Sequence, residues 1–338
     1  MNHSNSNQIV LASRPQGRTQ PENFRLEEVA IPSAPPGGVL LRTLYLSLDP
    51  YMRGRMSDRK SYAKSLGIGE VMVGEGVAEV VKSNHPGYAI GDIVLAQTGW
   101  RTHVASNGVG LRKLDPTLAP VTSALGVLGM PGFTAYVGLN LIGKPKPGET
   151  VVVAAASGPV GSLVGQLAKI AGARTVGIAG GAKKCRYVVE ELLFDAAVDH
   201  RASSLASDLA KSCPGGIDVY FENVGGVIWQ AVQPLLNPFA RIPVCGLVAE
   251  YDGDQNVTPA SVNLREVLTK RLILRGFIGS EFAEEHYTEF LRTVSAGIAD
   301  GRIRYREDIT DGLQNAPAAF IGMLEGRNFG KAIVHVAH

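Results

Sequence analysis

Cysteine is scarce in this chain. Cys185, Cys213 and Cys245 are the only cysteines among its 338 residues. An odd number of cysteines at wide spacing cannot supply a complete disulfide framework, and these three positions do not form a zinc ribbon. We therefore expect the thiols to be reduced, which favours a cytoplasmic protein.

An excess of one charge and long apolar runs are also missing. Lys and Arg number 33 and Asp and Glu 31, so the formal net charge is +2. Binding to nucleic acid or to a membrane surface needs a concentrated basic stripe, which this balance does not favour. No apolar run reaches the roughly 20 residues of a transmembrane helix, and residues 1–8 are polar, unlike a secretory leader. The sequence predicts no nucleic-acid or membrane partner and favours small-molecule ligands.

The chain is long enough to build two hydrophobic cores. With 338 residues, 45% of them hydrophobic, it exceeds what one core usually supports. Its first part contains short apolar runs bounded by turn residues, at Val39–Leu46, Val71–Val81 and Ile93–Ala96, and such runs indicate strands. We predict a β-rich domain over residues 1–128.

After the turn-rich segment 144–148 the pattern changes to buried strands that alternate with amphipathic helices. This alternation is typical of a parallel sheet covered by helices. The predicted strands are Val151–Ala155, Thr175–Ala179, Ala196–Val198, Val219–Glu222, Arg241–Cys245 and Leu272–Phe277. Six strands complete a doubly wound sheet, so we predict an α/β fold with a Rossmann dinucleotide-binding domain over residues 129–300.

The final segment, residues 301–338, is too short to form a core of its own. It carries a predicted helix around Ala316–Leu324 and a predicted terminal strand, Ala332–Val336. We expect this segment to return to the β-rich domain.

A glycine loop follows the first strand of the predicted Rossmann sheet and precedes a helix with one apolar stripe that stops at Gly172. The loop consists of Ser157, Gly158, Pro159, Val160 and Gly161. The unbonded N–H groups and the dipole of the first helical turn favour a pyrophosphate there. Ala156 replaces the first glycine of the usual G-x-G-x-x-G pattern. The alternative is a tight turn without a ligand, which the flanking strand and helix disfavour.

The residues after the second strand of this sheet discriminate between the two nicotinamide cofactors. NAD enzymes place an acid there for the ribose 2′-hydroxyl, but this chain has Gly180 followed by the cations Lys183, Lys184 and Arg186. We therefore predict NADPH, with Lys184 on its 2′-phosphate. The alternative for each cation is a solvated helix face.

A catalytic zinc site is not evident in the sequence. Where a G-H-E-x-x-G motif would supply a histidine ligand, the chain reads Val73-Gly74-Glu75-Gly76, and no cysteine precedes Cys185. Without a Lewis acid, a nicotinamide enzyme more naturally reduces an activated acceptor, such as an alkene conjugated to a carbonyl or a quinone.

Several segments narrow this choice by resemblance to a known family. The segments are Leu48-Asp49-Pro50-Tyr51-Met52-Arg53, Gly129-Met130-Pro131-Gly132-Phe133-Thr134-Ala135-Tyr136, Phe221-Glu222-Asn223-Val224-Gly225-Gly226 and Gly326-Arg327-Asn328-Phe329-Gly330-Lys331. Together they resemble the zinc-independent medium-chain dehydrogenase/reductase family of prostaglandin reductases and leukotriene hydroxydehydrogenases, in particular its bacterial NADPH-dependent curcumin reductase branch. The resemblance implies a GroES-like β-rich catalytic domain. It also implies reduction of the carbon–carbon double bond of an α,β-unsaturated aldehyde or ketone, with hydride delivered to the β-carbon.

The resemblance also implies a set of cofactor-binding positions. They are Pro50, Tyr51, Gly158 to Gly161, Gly180, Lys184, His200, Asn223, Cys245, Gly246, Leu247, Tyr251, Phe277, Ile278, Gly279 and Asn328. Many relatives carry tyrosine where this chain has His200, so an imidazole or the neighbouring Arg201 would replace a hydroxyl contact to the 2′-phosphate.

Two of these positions have structural alternatives. Asn223 follows a strand at the edge where α/β folds bind ligands, and a turn before Gly225 and Gly226 is the other interpretation of it. For Asn328, spacing alone favours a turn.

The carbonyl oxygen gains negative charge during hydride transfer, so the site needs a hydrogen-bond donor near it. Tyr251, at a strand end, is the first candidate, and Tyr51 and Tyr62 are the alternatives; each of them also fits a packing role at a rim. Ser57–Gly69 and Tyr251–Val262 are predicted loops that set substrate range.

Other functions and the oligomeric state remain open at this level. An NADPH-dependent quinone reductase and a nonenzymatic NADPH-binding redox sensor are the competing interpretations. The resemblance implies a homodimer, and the edge strand Leu272–Phe277 offers a surface for pairing across a two-fold axis.

Overall fold

The computed structural model describes residues 5–253, 257 and 259–336, which form two units. One unit takes its residues from Met1–Leu125 and Glu307–His338, and the other from Gly126–Arg306. Residues 254–256 and 258 of the predicted loop Tyr251–Val262 lie outside the described residues.

The second unit is built on a six-stranded parallel sheet. Its strands are β8 (Thr150–Ala154), β9 (Arg174–Ala179), β10 (Ala196–Asp199), β11 (Ile217–Phe221), β12 (Leu236–Val244) and β13 (Ile273–Gly276). They lie in the order β10-β9-β8-β11-β12-β13, with each pair parallel. This is the order of a dinucleotide-binding sheet, and it reverses between β8 and β11. The predicted Rossmann fold is confirmed.

Helices precede, connect and follow these strands. They are α2 (Met130–Val137), α3 (Pro159–Ile170), α4 (Ala182–Glu190), α5 (Leu205–Ser212), α6 (Gly226–Val232), α7 (Val248–Tyr251), α8 (Leu264–Lys270) and α9 (Ala283–Ala299). The predicted stripe of α3 is buried at Leu163, Val164, Leu167 and Ala168. Gly172, with φ of +81°, follows the end of the helix as predicted.

Ten of the twelve predicted strand ends of this sheet differ from the observed ends, eight of them by one residue, and three of the differences have a local reason. Ala155 leaves β8 because its φ of +53° turns the chain toward the glycine loop. Glu222 ends up beyond β11, where its side chain caps the following turn. β12 begins five residues before the predicted start, because Asn237 and Pro238, which favour turns in sequence, lie inside the strand.

The first unit contains a seven-stranded sheet and a separate hairpin. Its strands are β1 (Asn5–Leu11), β2 (Phe24–Ala30), β3 (Val39–Ser47), β4 (Gly76–Ser83), β5 (Ile93–Ala96), β6 (His103–Ser106), β7 (Arg112–Lys113), β14 (Glu307–Asp311) and β15 (Lys331–His335). The sheet runs β14-β15-β3-β4-β5-β7, with β6 also on β3, so the C-terminal segment supplies two neighbouring strands. Val71–Val81, predicted as one strand, forms a strand only from Gly76.

The α-helices in the described part of the first unit are α1 (Tyr51–Arg55) and α10 (Ala316–Leu324). α10 has the predicted bounds, and its Phe320 packs edge-on against Trp100 at 5.6 Å between ring centroids. Phe24 stacks on the same indole at 5.5 Å. Among the described helices, none combines the length and the hydropathy that a bilayer crossing requires.

Candidate cofactor and active site

The predicted cofactor residues of the second unit lie at one edge of its sheet. The glycine loop follows β8, Gly180 follows β9 and His200 follows β10. Asn223 comes just after β11, Cys245 follows β12 and Phe277 follows β13. Because parallel strands end at the same edge, the fold brings all six segments together where α/β proteins bind ligands.

The glycine loop has the backbone that a phosphate cradle requires. Gly158 is the residue before α3, with φ of −85° and ψ of 172°, and its N–H donates to Ala155 O at 2.9 Å. A Cβ at Gly161 would lie only 2.4 Å from that same oxygen. Pro159 and Val160 form the first turn of α3, where N–H groups have no helical acceptor. The residues present therefore fit a pyrophosphate at this helix end.

The turn after β9 is closed by the last residue of β10 and the two residues after it. A Cβ at Gly180 would lie 2.9 Å from His200 Nε2 and 3.1 Å from Arg201 Nε, so only glycine leaves both side chains in place. Asp199 Oδ1 accepts hydrogen bonds from the N–H groups of Gly181 at 2.8 Å and Arg201 at 2.9 Å. These two bonds hold the pKa of Asp199 below its usual range. The acid in this region thus binds the backbone of the two turns.

His200 is half-buried beside two cations in this turn. Burial lowers the pKa of its imidazole, and the charges of Arg201 and Lys184 lower it further, against the opposing effect of Asp199. Lys184, half-buried on α4, is close enough to His200 for its charge to act there. Lys184 and Arg201 therefore place positive charge beside this turn.

Asn223 links the two central strands of the sheet. Its Nδ2 donates to Ala154 O at 2.8 Å, the last carbonyl of β8, and its own carbonyl accepts from Val248 N at 3.1 Å. The side chain therefore fixes the crevice between β8 and β11, where the strand order reverses. The structure supports a positioning role for Asn223.

The turn after β12 carries the first tyrosine candidate. Cys245 N donates to Glu222 O at 2.9 Å, and burial together with the charge of Glu222 raises the pKa of the Cys245 thiol to about 12. The Tyr251 hydroxyl oxygen accepts from Leu247 N at 3.3 Å and lies 2.9 Å from where a Cβ of Gly246 would be. A phenol that accepts an N–H can still donate its own hydrogen. The sharp turn thus fixes Tyr251 at the end of α7.

The segment after β13 is packed on aromatic rings. Phe277 is buried and meets Phe221 edge-on at 6.2 Å between centroids. Ile278 immediately precedes the short helical turn that begins at Gly279. A Cβ at Gly279 would lie 3.0 Å from Thr134 Oγ1. The backbone of this segment is therefore closely confined.

The tyrosine candidates of the first unit differ in burial. Pro50 precedes α1 and Tyr51 is its first residue, half-buried, with the Arg55 guanidinium carbon 5.9 Å from the ring centroid. Burial, together with the charges of Asp49 and Glu75, raises the pKa of Tyr51. Tyr62 is 70% exposed.

Asn328 makes a local contact. Its Nδ2 donates to Gly330 O at 2.8 Å, two residues on. This bond matches the turn role that its spacing favours.

A buried ionic cluster before α1 was missed by the sequence analysis. Lys331 Nζ lies 2.6 Å from Asp49 Oδ1 and 2.7 Å from Leu48 O, and Ser47 Oγ donates to the other Asp49 oxygen. Burial and the Asp49 charge raise the pKa of Glu75 to about 7, against the opposing charges of Arg112 and Lys331. A lysine that begins an apolar strand and an acid before proline were the only signals in the sequence.

Across the described ranges, no group of three or more His, Cys, Asp or Glu side chains is arranged to hold a metal ion. All three cysteines are free thiols.

Two family models match the chain. One, described as the N-terminal domain of oxidoreductase, matches residues 7–114. The other, described as zinc-binding dehydrogenase, matches residues 159–296.

Curated and solved relatives cover almost the whole chain. It is 54% identical over 332 residues to NADPH-dependent curcumin reductase of Escherichia coli (strain K12), over 97% of this chain and 96% of that protein. It is 42% identical to prostaglandin reductase 1 of Bos taurus, over 92% and 93%. The crystal structure of CurA in complex with NADPH from Vibrio vulnificus is similar at 50% identity, with a TM-score of 0.93 over 98% of this chain and 99% of that one. The resemblance in the sequence is confirmed: the chain belongs to the medium-chain dehydrogenase/reductase family that includes the prostaglandin reductases and the bacterial curcumin reductases.

Proposed function

We propose that this chain reduces the carbon–carbon double bond of α,β-unsaturated aldehydes and ketones with NADPH as the reductant. Curcumin-type enones and alkenals are the substrate class. The observation that carries the proposal is the sheet edge itself: a phosphate-cradling glycine loop, a second turn without an acid for a ribose hydroxyl, and two cations beside it. The 54% identity to a curcumin reductase supports the same chemistry.

The residues of the second unit would hold the cofactor in a defined order. The glycine loop from Ser157 to Gly161, which leads into the first turn of α3, would bind the pyrophosphate through backbone N–H groups. Lys184 and Arg201 would pair with the 2′-phosphate through charge-assisted hydrogen bonds. When bound, NADPH supplies a hydride for the β-carbon of the substrate.

Tyr251 is the proposed hydrogen-bond donor to the substrate carbonyl. Negative charge grows on that oxygen as the enolate forms, and a neutral donor held in place stabilises it. The contact from Leu247 N orients the hydroxyl, and the turn at Gly246 limits its movement. Tyr51 is the alternative donor. Tyr62 is disfavoured in this role because its side chain is exposed.

We propose that the reaction needs no catalytic zinc. The chain has glycine where a zinc enzyme of this class carries its histidine ligand, at Gly74 before Glu75, and it has no cysteine before Cys185. The conjugated carbonyl is itself an electron sink, so donation from a hydroxyl suffices to stabilise the enolate.

We also propose a cytoplasmic homodimer. Three free thiols suit a reducing compartment. β13 is an edge strand, and Ile273 on it is 53% exposed. Leu264 and Leu268 on the preceding α8 are 77% and 75% exposed, which adds apolar surface to the same part of the second unit. Sedimentation of the purified chain tests the dimer.

The function is tested by NADPH oxidation with an alkenal, an aryl enone such as curcumin, and a quinone, followed by identification of the products. We expect oxidation with the two unsaturated carbonyls, a saturated carbonyl product and a much slower rate with NADH. The matched saturated aldehyde should give no oxidation. Turnover of the quinone alone would identify a quinone reductase, and NADPH binding without turnover of any acceptor would identify a nonenzymatic binding protein.

A further inference from the structure

Glu222 is a buried carboxyl at the centre of the proposed cofactor edge. It comes directly after β11, and only 2% of it is exposed. Its backbone continues the parallel pairing with β12, because Glu222 N donates to Pro243 O at 3.0 Å. Glu222 is not among the cofactor-binding positions that the family resemblance implies.

One oxygen of this carboxyl organises the turn after β11. Oε1 accepts from Val224 N at 2.7 Å, from Gly225 N at 2.9 Å and from the Tyr220 hydroxyl at 3.0 Å. The first two bonds close the chain around Asn223, whose amide holds the end of β8. The Glu222 side chain therefore determines where Asn223 stands.

The main chain of the same residue organises the turn after β12. Glu222 O accepts from Cys245 N at 2.9 Å and from Gly246 N at 3.2 Å. The two turns continue side by side, since Val248 N donates to Asn223 O at 3.1 Å and Ala249 N to Val224 O at 3.0 Å. A shift of the first turn would therefore be passed to the second, which leads to Tyr251.

The second carboxyl oxygen lacks the hydrogen bonds of the first. Oε2 is buried and has no hydrogen-bond partner among the described residues. Burial raises the pKa of Glu222, although the hydrogen bonds from Val224 and Gly225 oppose the rise. The contacts that this side chain makes with the turn and with Tyr220 are therefore those of Oε1. A neutral amide at this position would keep the accepting oxygen.

We infer that Glu222 is a positioning residue for NADPH binding, which anchors the turn at Asn223 through its acceptor oxygen Oε1 and the turn at Cys245–Gly246 through its main-chain carbonyl. The inference rests on the proposed cofactor site. Its function lies in acceptor geometry, so chain length and hydrogen-bonding capacity at this position matter and negative charge does not.

The test measures the NADPH dissociation constant by fluorescence titration, with circular dichroism and Tm as checks on folding. Glu222→Ala is expected to weaken binding at least tenfold, and Glu222→Gln to stay within about threefold of wild type. Tyr220→Phe is the matched control, since it removes a donor to the same oxygen and leaves both turn contacts. If Glu222→Ala does not fold, Glu222→Asp takes its place, because its carboxyl is one methylene too short to reach both N–H groups.

Each remaining outcome decides the inference. Wild-type affinity in folded Glu222→Ala or Glu222→Asp would overturn it, as would equal weakening by Tyr220→Phe. Weak binding by Glu222→Gln would show that charge matters, which also contradicts it. If the wild-type chain does not bind NADPH, the proposed cofactor site fails as a whole, whereas tight wild-type binding with an unaffected Glu222→Ala removes only the role of Glu222.

Discussion

Lys331 Nζ lies 2.6 Å from Asp49 Oδ1, and the two side chains are 3% and 6% exposed. The ammonium also binds Leu48 O, so a residue of the last strand holds the loop that precedes α1 and Tyr51. A buried ion pair has lost its hydration, and removal of one partner leaves the other charge without compensation.

Lys331→Met is therefore expected to lower the free energy of unfolding by about 3–5 kcal/mol, as measured by urea denaturation. The double variant with Asp49→Asn removes both charges and should regain part of this loss. Lys113→Met is the control. It breaks the pair with Asp92 at 2.7 Å, where the lysine side chain is 53% exposed, and should cost no more than about 1 kcal/mol. Equal losses of unfolding free energy in the two single variants would mean that the buried pair contributes no more to stability than the exposed pair.

This pair also shows where sequence analysis stops. Lys331 and Asp49 are separated by 282 positions, and no local sequence pattern around either residue indicates that the two side chains pair. The Rossmann fold and the bounds of α10 were predictable because burial and periodicity are local properties of a strand or a helix. The apolar run before Gly158 predicted β8 to within one residue at each end.

Predictions from local sequence patterns were wrong or undecided where a side chain, rather than the backbone, hydrogen-bonds to a turn or a strand end. Glu222 was predicted inside a strand because it follows an apolar run, but its carboxyl accepts two turn N–H groups. Asn223 was equally compatible with a turn or a ligand contact, and its bond to Ala154, 69 residues away, could not be derived from spacing. The family and the fold class are confirmed, while the roles of individual site residues stay predictions.

Lys184→Ala is expected to raise the KM for NADPH about tenfold or more. The substitution removes a charge-assisted contact to the 2′-phosphate, worth ~1.5–3 kcal/mol. The KM for NADH, which lacks that phosphate, should hardly change. Steady-state kinetics with both cofactors provide the measurement.

Lys211→Ala removes a comparably long cation that is 77% exposed on α5, and it should leave both KM values as they are. Arg201→Ala, measured in parallel, separates the two cations near His200. Unchanged NADPH kinetics in Lys184→Ala would exclude Lys184 from the phosphate site.

Tyr251→Phe is expected to lower kcat by roughly 10²–10³ with an unsaturated aldehyde, because it removes the donor to the developing enolate oxygen. The NADPH dissociation constant should change little, since the ring remains in its turn. Single-turnover kinetics at saturating NADPH measure the chemical step. Tyr62→Phe, at a 70% exposed position, serves as the control and should keep the wild-type rate. A Tyr251→Phe variant within threefold of wild type would move the role to Tyr51, and Tyr51→Phe would then be the slow variant.

The raised pKa of Glu75 predicts that the stability of the folded protein depends on pH. Burial, followed by the charge of Asp49, raises the pKa of this carboxyl to about 7 from an ordinary value of 4.5. Below pH 4.5 the carboxyl is protonated in both states, and its contribution to stability is fully present. Between 4.5 and 7 the unfolded chain releases the proton that the folded chain retains, so this contribution is lost as the pH rises through 7.

Glu75→Gln cannot ionise at this position. Its free energy of unfolding should therefore equal or fall below that of wild type at pH 4.5, and it should increase relative to that of wild type as the pH rises to 8. The shift of about 2.5 pH units sets an upper limit of about 3 kcal/mol on that gain. Urea denaturation of both proteins at several pH values measures the difference, in which the other titrating groups cancel. Glu190→Gln, at an exposed position on α4, should follow the wild-type curve. A constant difference between Glu75→Gln and wild type across this range would show that Glu75 ionises in the folded protein as it does in the unfolded chain.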